Sequence, residues 1–227
     1  ALTGLAPHLP ENLLPEALAT AREIGDESDR AEALTGLAPY LPEILPEALA
    51  TAREIGNESS RVEALTGLAP YLPEILPEAL ATAREIRNEY YRAKALTGLA
   101  PYLPENLLPE ALATARGIGD ESNRAKALTG LAPYLPENLL PEALATARGI
   151  GDESNRAKAL QALTKVLTPA NVNRALWENT LHALGTLTRP SFLDTIPNLV
   201  PLILHCGGLV ALREVHQAIR EVSRWWK

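Results

Sequence analysis

The sequence predicts an all-α fold built from tandem helical hairpins, and three observations on its 227 residues lead to this prediction. One peptide, ALTGLAP, recurs five times at intervals of 31 or 32 residues. Alanine and leucine dominate the apolar residues, which make up 46% of the chain, and this composition favours helices over strands. A unit of about 30 residues cannot bury its own apolar face and is stable only when stacked on similar units. The copies begin at Ala1, Ala33, Ala64, Ala95 and Ala127.

We therefore expect an α-solenoid that forms a right-handed superhelix, with the first helix of each repeat (helix A) on one wall and the second (helix B) on the other. The architecture is similar to that of tetratricopeptide repeats, although the 34-residue pattern of Trp, Leu-Gly, Tyr, Ala and Phe is not matched. Residues 1–158 hold five tandem hairpin repeats, and residues 159–227 hold a divergent sixth repeat followed by capping helices.

Helix A is justified by the repeat at residues 26–55, DESDRAEALTGLAPYLPEILPEALATAREI. Asp26 is a good N-cap residue, and Glu27 follows in the first turn, where a negative charge is favourable. Pro39 is expected to end the helix. The apolar stripe of helix A consists of Ala31, Leu34, Leu37, Ala38 and Leu41.

Helix B follows a proline-rich connector, whose length differs by one residue between repeats. Pro46 fits the first turn of helix B, where its missing N–H costs nothing. Gly56 is expected to end the helix in the left-handed conformation, and Asn57 to cap the next helix A. Arg87 replaces that glycine once, which predicts a strained or rearranged turn. The buried stripe of helix B consists of Leu45, Ala48, Leu49, Ala52 and Ile55.

The C-terminal region is predicted to continue with helices of less regular sequence. The sixth repeat has its two apolar stripes at residues 159–167 and 176–187. Two further helical segments are expected at residues 191–205, interrupted by Pro197 and Pro201, and at residues 208–226. The stripe of the last segment is expected to cover the open edge of the final repeat. It consists of Leu212, Val215, Ile219, Val222 and Trp226.

Composition excludes several classes of function. The net charge of −7 disfavours nucleic-acid binding, which needs a basic surface for the phosphates. Cys206 is the single cysteine and cannot form an internal disulfide. We find no apolar stretch of about 18 residues and no signal-like leader, and therefore expect a soluble cytoplasmic protein without a membrane partner.

No sequence motif for catalysis is present. The chain lacks the phosphate-binding loop, the nucleophile elbow and the zinc-protease motif. His182, His205, Cys206 and His216 match no zinc-ligand spacing. We therefore expect no enzyme activity, no catalytic residue, no cofactor and no metal.

Two series of arginines recur along the repeats. On helix A each arginine follows a glutamate by three residues, which suggests an ion pair within the helix or a contact with the end of a neighbouring helix. Binding of an acidic partner is the alternative, and we expect the same two options for helix B. The helix A series is Arg30, Arg61, Arg92, Arg124 and Arg156. The helix B series is Arg22, Arg53, Arg84, Arg116 and Arg148.

Tyrosines also recur, at the connector between helices A and B. A tyrosine beside prolines favours burial of the ring between repeats, whereas a regular row of rings is also typical of a peptide-binding ladder. The connector tyrosines are Tyr40, Tyr71, Tyr102 and Tyr134. Tyr90 and Tyr91 differ, because the other repeats have small or polar residues at these positions, and they are the better candidates for a specific contact.

One exposed position of helix A changes sign along the array. It is occupied by glutamate at residues 32 and 63 and by lysine at residues 94, 126 and 158. An acidic start and a basic end would orient a partner or favour head-to-tail self-association, while a screened, solvated surface is the alternative. The candidate partner-binding residues are Tyr71, Tyr90, Tyr91, Tyr102, Glu32, Glu63, Lys94, Lys126 and Lys158.

The repeat ALTGLAPYLPENLLPEALATARGIGDESNRAK and the closing REVHQAIREVSRWWK resemble the C-terminal repeat arrays of bacterial signal-transducing NTPases of the STAND class, the NACHT and NB-ARC proteins. The resemblance implies a superhelical arm that senses a protein or peptide partner for a larger signalling NTPase, and the start at Ala1 in mid-repeat is expected for a fragment of a longer chain. A structural spacer or self-assembling repeat without a ligand, natural or consensus-engineered, is the alternative. Two 32-residue repeats, 95–126 and 127–158, are identical, which favours recent duplication or engineering.

Overall fold

The structure, a computed structural model, describes residue 4 and residues 6–225, with side chains up to residue 221. In this part of the chain every regular element is helical, with twelve α-helices joined by short 3₁₀ turns and no strand. The prediction of an all-α protein is therefore confirmed. The chain divides into two compact units, residues 1–115 (the N-terminal unit) and residues 116–227 (the C-terminal unit).

The helices alternate as the sequence predicts, with a short link before each helix A and a proline-containing connector before each helix B. In the N-terminal unit they are α1 (Leu14–Arg22), α2 (Glu27–Leu37), α3 (Leu45–Glu54), α4 (Glu58–Leu68), α5 (Leu76–Glu85), α6 (Glu89–Leu99) and α7 (Leu108–Arg116), whose last residue begins the C-terminal unit. In the C-terminal unit they are α8 (Glu121–Leu131), α9 (Leu140–Arg148), α10 (Glu153–Lys165), α11 (Arg174–Leu184) and α12 (Arg189–Trp225).

Equivalent helices of successive repeats lie side by side within each unit. In the N-terminal unit α2 contacts both α3 and α4, and α4 contacts both α5 and α6. In the C-terminal unit α10 contacts α8, α9 and α12. The residues that recur at three- and four-residue spacing form the core, since Ala31, Leu34 and Leu37 are buried along α2. Ile44, in the 3₁₀ turn of the connector, is also buried, although its position outside the helices gave no periodic signal.

The beginnings of the helices follow the predicted capping residues. The carboxylate of Asp26 accepts a hydrogen bond of 2.9 Å from the backbone N–H of Asp29. The side chain of Asn57 does the same for Ser60 at 3.0 Å. Pro46 lies in the first turn of α3, as predicted from its missing N–H.

The ends of the B helices differ from the prediction. Within the described residues Gly208 alone has a positive φ, so Gly56 does not adopt the left-handed conformation. The chain leaves α3 through Ile55, whose backbone is extended at φ −61° and ψ 115°. Ile86 has nearly the same values, φ −59° and ψ 116°, although Arg87 follows it. The predicted strain at Arg87 is therefore wrong, because this link makes no demand that only glycine can meet.

Arginines of helix A bind the carbonyl group of the isoleucine that comes just after the preceding helix B. Nη1 of Arg61 donates a hydrogen bond of 3.0 Å to the carbonyl oxygen of Ile55, at the end of the preceding helix B. The same bond occurs in all five repeats that contain this arginine and confirms the predicted contact with a helix end. Its other members are Arg30 to Ile24 (2.9 Å), Arg92 to Ile86 (3.1 Å), Arg124 to Ile118 (3.0 Å) and Arg156 to Ile150 (2.7 Å).

The helix B arginines form ion pairs with the next helix B, so the expected pairing within one helix or with a helix end is wrong for these four. Each guanidinium reaches a glutamate 25 or 26 residues further along the chain, on the first turn of that helix. These pairs are partly exposed and individually contribute little to stability. They are Arg22 with Glu47 (2.7 Å), Arg53 with Glu78 (2.6 Å), Arg84 with Glu110 (3.0 Å) and Arg116 with Glu142 (2.8 Å).

The link before α10 is also held by a carboxylate. The side chain of Glu121 accepts hydrogen bonds from the backbone N–H groups of Gly151 at 2.7 Å and Asp152 at 2.6 Å. These bonds stabilise the ionised carboxylate and lower the pKa of Glu121 below its usual 4.5. A Cβ atom at residue 151 would lie 2.8 Å from Oε1 of Glu121, so a larger residue there would displace this carboxylate from its two hydrogen bonds.

Two predictions about the C-terminal helix α12 are wrong. It continues through Pro197 and Pro201, and its two helical parts meet at Gly208, which has φ 62°. Residues 189–221 form a helix long and apolar enough to cross a membrane, with a mean hydropathy of 1.6 over an 18-residue window of which 22% is buried. The expectation that no apolar stretch of this length exists is therefore wrong, because residues 195–212 carry no charged side chain.

We predict that Arg124→Met lowers the free energy of unfolding by about 1.5–3 kcal/mol, because a half-buried charged donor to the Ile118 carbonyl is lost. The matched control is Arg116→Met, which removes a partly exposed ion pair and is expected to cost less than about 1 kcal/mol. Urea unfolding followed by circular dichroism measures both. Equal effects of the two substitutions would contradict the structural role of Arg124.

We predict a pH-dependent effect of Glu121→Gln. Since the pKa of Glu121 is lowered on folding, the ionised carboxylate stabilises the folded state above its unfolded-state value near 4.5. This stabilisation is lost as the pH falls through the lower folded value. The variant should therefore have a lower thermal midpoint than the wild type at pH 7, with a difference that shrinks below about pH 4.5. Glu105→Gln, at an exposed position, is the control and should show no such convergence.

Candidate functional site

A groove with a volume of about 620 Å³ lies between α4 and α6 in the N-terminal unit. One wall is the exposed face of α4 and the other is the equivalent face of α6 together with the link that precedes it. Its lining combines small residues with charged and aromatic ones. The residues that define this groove are Asn57, Glu58, Glu63, Thr66, Arg87, Asn88, Tyr91, Lys94, Ala95 and Gly98.

The change of sign along helix A occurs inside this groove and forms an ion pair. Nζ of Lys94 on α6 lies 3.0 Å from Oε1 and 3.3 Å from Oε2 of Glu63 on α4. The carboxylate raises the pKa of Lys94 above its usual value, so the lysine is charged at neutral pH. Both side chains are more than half exposed, which limits the contribution of the pair to stability.

Two adjacent tyrosines open α6 at the edge of the groove. Their ring centroids are 5.3 Å apart and the rings are nearly perpendicular at 77°. Tyr90 is 51% exposed and Tyr91 is 46% exposed, and Tyr91 lines the groove. Oδ1 of Asn88 accepts hydrogen bonds from both of their backbone N–H groups, at 3.0 and 3.3 Å, and so fixes the start of the helix. Aromatic rings held partly in solvent by a rigid helix are typical of protein contact sites.

A second groove, of about 540 Å³, lies between α2 and α4. Asp29, Glu32 and Glu63 give it an acidic lining, and Tyr71 lies at the connector end. Its centre is narrow because a Cβ atom on Gly67 would lie only 3.3 Å from Cγ2 of Thr35. Glu63 lines both grooves, which places them side by side on one face of the N-terminal unit.

The structure brings together six of the nine predicted partner-binding residues, on the A helices of the N-terminal unit and the adjoining connector. Glu63, Tyr91 and Lys94 line the first groove, Glu32 and Tyr71 join Glu63 in the second, and Tyr90 packs against Tyr91. Three predicted residues lie elsewhere: Tyr102 follows α6 and is 40% exposed, Lys126 is on α8 and Lys158 is on α10.

Arg87 is the functional candidate that sequence analysis missed. It lines the first groove from the link before α6. The sequence marks this position as unusual, because the other links have glycine there. Arginine in place of glycine suggests backbone strain, however, and not a binding residue. Arg87, Tyr90 and Tyr91 depart from the other repeats within five residues of one another, and two of the three line the groove.

The chemistry of the first groove suits binding. It combines an arginine, an ion pair, an aromatic ring and two asparagine side chains, which are groups that recognise a peptide through hydrogen bonds, charge and apolar contact. No group of three His, Cys, Asp or Glu residues suited to a metal ion occurs in the part of the chain that the structure describes.

Comparison of the chain with protein-family models, with curated proteins and with solved structures finds no match.

We predict that alanine substitution stabilises the protein more at Gly98 than at Gly67, the two helical glycines of these grooves. Gly98→Ala should raise the free energy of unfolding by about 0.5–1 kcal/mol, because alanine favours the helix and its Cβ would lie 3.7 Å from Cγ2 of Thr66. Gly67→Ala should gain less or destabilise, since its Cβ must displace Thr35. Urea unfolding compares the two, and a larger gain for Gly67→Ala would contradict the described geometry.

Proposed function

We propose that the chain is an α-solenoid that works as a non-enzymatic protein-interaction module, and that the groove between α4 and α6 binds a peptide segment of a partner protein. The observation that carries this proposal is the location of residues that vary between repeats. Arg87, Tyr91 and Lys94 converge on one groove with a volume of about 620 Å³, which is large enough for several side chains of a bound peptide.

Three sets of residues that recur along the repeats already have structural partners, and this supports the proposal. The helix A arginines donate to helix ends, and the helix B arginines form ion pairs with the next helix B. The Asp or Asn residue before each helix A caps it. Several of the residues that vary line the two grooves of the N-terminal unit, namely Glu32, Glu63, Arg87, Tyr91 and Lys94.

The biological setting that we propose is the sensor or scaffold arm of a larger bacterial signalling NTPase. The resemblance of the repeat and of the closing helix to the arrays of STAND-class proteins supports this setting. The test is the sequence that precedes Ala1 in the full-length polypeptide. A phosphate-binding loop followed by an acidic Walker B strand is expected, and a full-length polypeptide without them would exclude the NTPase setting while leaving peptide binding open.

A self-assembling or purely structural repeat is the second candidate. The observation that favours it is the identity of repeats 95–126 and 127–158, which leaves no partner-specific variation between them. In that case sedimentation velocity would show oligomers that grow with protein concentration, and no peptide would compete with them.

Peptides that bind the wild-type chain are first selected from a phage-displayed random library. We predict that they bind the variant Arg87→Gly/Tyr90→Ser/Tyr91→Asn at least about 30-fold more weakly, because loss of a buried aromatic side chain from an interface has an effect of this size. The variant restores residues found in the other repeats, so it should fold. Fluorescence anisotropy with the selected peptides measures the dissociation constants.

The matched control is Ser154→Ala/Asn155→Ala, which changes the equivalent positions at the start of α10. It should bind the peptides as the wild type does. Peptides that bind the wild type and the reverted variant equally well would exclude the groove as the site, and a failure to select any peptide would argue against the module.

A further inference from the structure

The second groove, between α2 and α4, carries an excess of negative charge. In the part of the chain that the structure describes, its charged lining residues are Asp29, Glu32 and Glu63, all of them acidic. Asp29 and Glu32 are exposed and three positions apart on α2, hence on one side of that helix, and Glu63 lies on the opposite wall. Like charges in one groove repel each other, so the groove favours a ligand that brings positive charge.

The first groove shows how a positive charge binds at this face. Residues 32, 63 and 94 occupy equivalent positions of α2, α4 and α6. Between α4 and α6 these positions hold Glu63 and Lys94, and Nζ of the lysine lies 3.0 Å from the carboxylate. Between α2 and α4 they hold two carboxylates, those of Glu32 and Glu63. An ammonium or guanidinium group of a ligand would therefore take the place in the second groove that Lys94 takes in the first.

A hydroxyl group of the second groove also indicates a polar ligand. Thr35 on α2 lines the groove, and its Oγ1 atom is buried without a hydrogen-bond partner among the described residues. At the equivalent positions of α4 and α6, the hydroxyl groups of Thr66 and Thr97 donate to the carbonyl group four residues earlier, at 2.7 and 2.9 Å. Unsatisfied buried polar groups are rare in native proteins, because they cost free energy that a hydrogen-bond partner would recover.

The two grooves are near enough to bind one segment. Glu63 lines both grooves, and α4 contacts both α2 and α6 within the N-terminal unit. Packed helices lie about 8–10 Å apart, so the distance from α2 to α6 is about 16–20 Å. An extended chain spans about 3.3 Å per residue, and about five or six residues therefore reach across all three helices.

We propose that the peptide bound by the first groove continues into the second groove, where two of its side chains, lysine or arginine, bind Asp29, Glu32 and Glu63. This inference rests on the proposed function, because it names the chemistry of the segment that the first groove binds. The partner would present an exposed stretch of about five or six residues with positive charge at one end. The acidic residues of α2 attract that end and Lys94 on α6 repels it, so charge also fixes the direction of the segment across the helices.

The variant Asp29→Asn/Glu32→Lys tests the acidic lining contributed by α2. It introduces the residues found at the equivalent positions of α8 and α10, so it should fold. The probes are fluorescein-labelled peptides selected from a random library on the wild-type chain. We expect these peptides to carry at least two basic residues and to bind the variant at least about tenfold more weakly at low salt, because the reversed charge repels them. Fluorescence anisotropy measures the dissociation constants, and the difference should shrink as the salt concentration rises.

Glu43→Gln/Glu74→Lys is the matched control. It neutralises one exposed glutamate of the N-terminal unit and reverses another, outside both grooves, so it changes the net charge by the same amount. It should bind the peptides within about twofold of the wild type, because distant exposed charges are screened.

A double-mutant cycle identifies the contact itself. Replacing the basic residues of a selected peptide with glutamine should weaken its binding to the wild type at least about tenfold, but its binding to Asp29→Asn/Glu32→Lys less than about threefold. Equal losses for the two chains would mean that these basic residues bind elsewhere and would overturn the inference.

The other outcomes separate this inference from the proposed function. Suppose that the peptides bind Asp29→Asn/Glu32→Lys as they bind the wild type, but lose affinity for Arg87→Gly/Tyr90→Ser/Tyr91→Asn. The inference is then wrong and the proposed function stands. Peptides that lose affinity for neither variant, or a failure to select any peptide, would contradict both. A dimer in sedimentation velocity that Asp29→Asn/Glu32→Lys abolishes would identify a second copy of the chain as the occupant and would also overturn the inference.

Discussion

The repeat depends on the hydrogen bond between a helix A arginine and the carbonyl group at the end of the preceding helix B. A helix leaves its last carbonyl groups without partners, and a left-handed glycine is a common way to satisfy them. Here there is no left-handed glycine, and a guanidinium from the next helix binds the carbonyl group of the isoleucine just after helix B, as between Arg61 and Ile55. The bond joins two consecutive helices and fixes the direction in which the chain enters each new repeat.

Because this bond is made by a side chain, the backbone of the link stays in ordinary regions of φ and ψ. Other recurrent residues stabilise the helices in two further ways. Asp and Asn residues cap the A helices, and ion pairs such as Arg53 with Glu78 join neighbouring B helices. In the N-terminal unit, the exposed face of the A helices makes few of these stabilising contacts. This arrangement leaves that face free to vary, and the variable residues Arg87, Tyr91 and Lys94 line the first groove beside recurrent ones.

The sequence predicted the helices well because their periodic leucines and alanines, their capping residues and the prolines at their first turns all indicated the same boundaries. It predicted Glu63, Tyr91 and Lys94 as candidates because they vary against a constant background. The sequence-based prediction was wrong where a contact between side chain and backbone, rather than local residue preference, determined the structure. Gly56 suggested a left-handed cap because no local signal shows that Arg61 reaches back to Ile55. The apolar length of α12 was missed because Pro197 and Pro201 indicated interruptions, and a helix accommodates both prolines.

The open conformation of the links has a consequence for how such an array diversifies. At residues 25 and 56 a Cβ atom would meet no other atom within 4 Å, and Arg87 shows that a long side chain fits the equivalent position. A new side chain there extends from a rigid corner beside the groove, without a steric penalty in the link itself. Each link of this kind is a position at which a duplicated repeat can change its surface through a single codon change, while the backbone of the link stays the same.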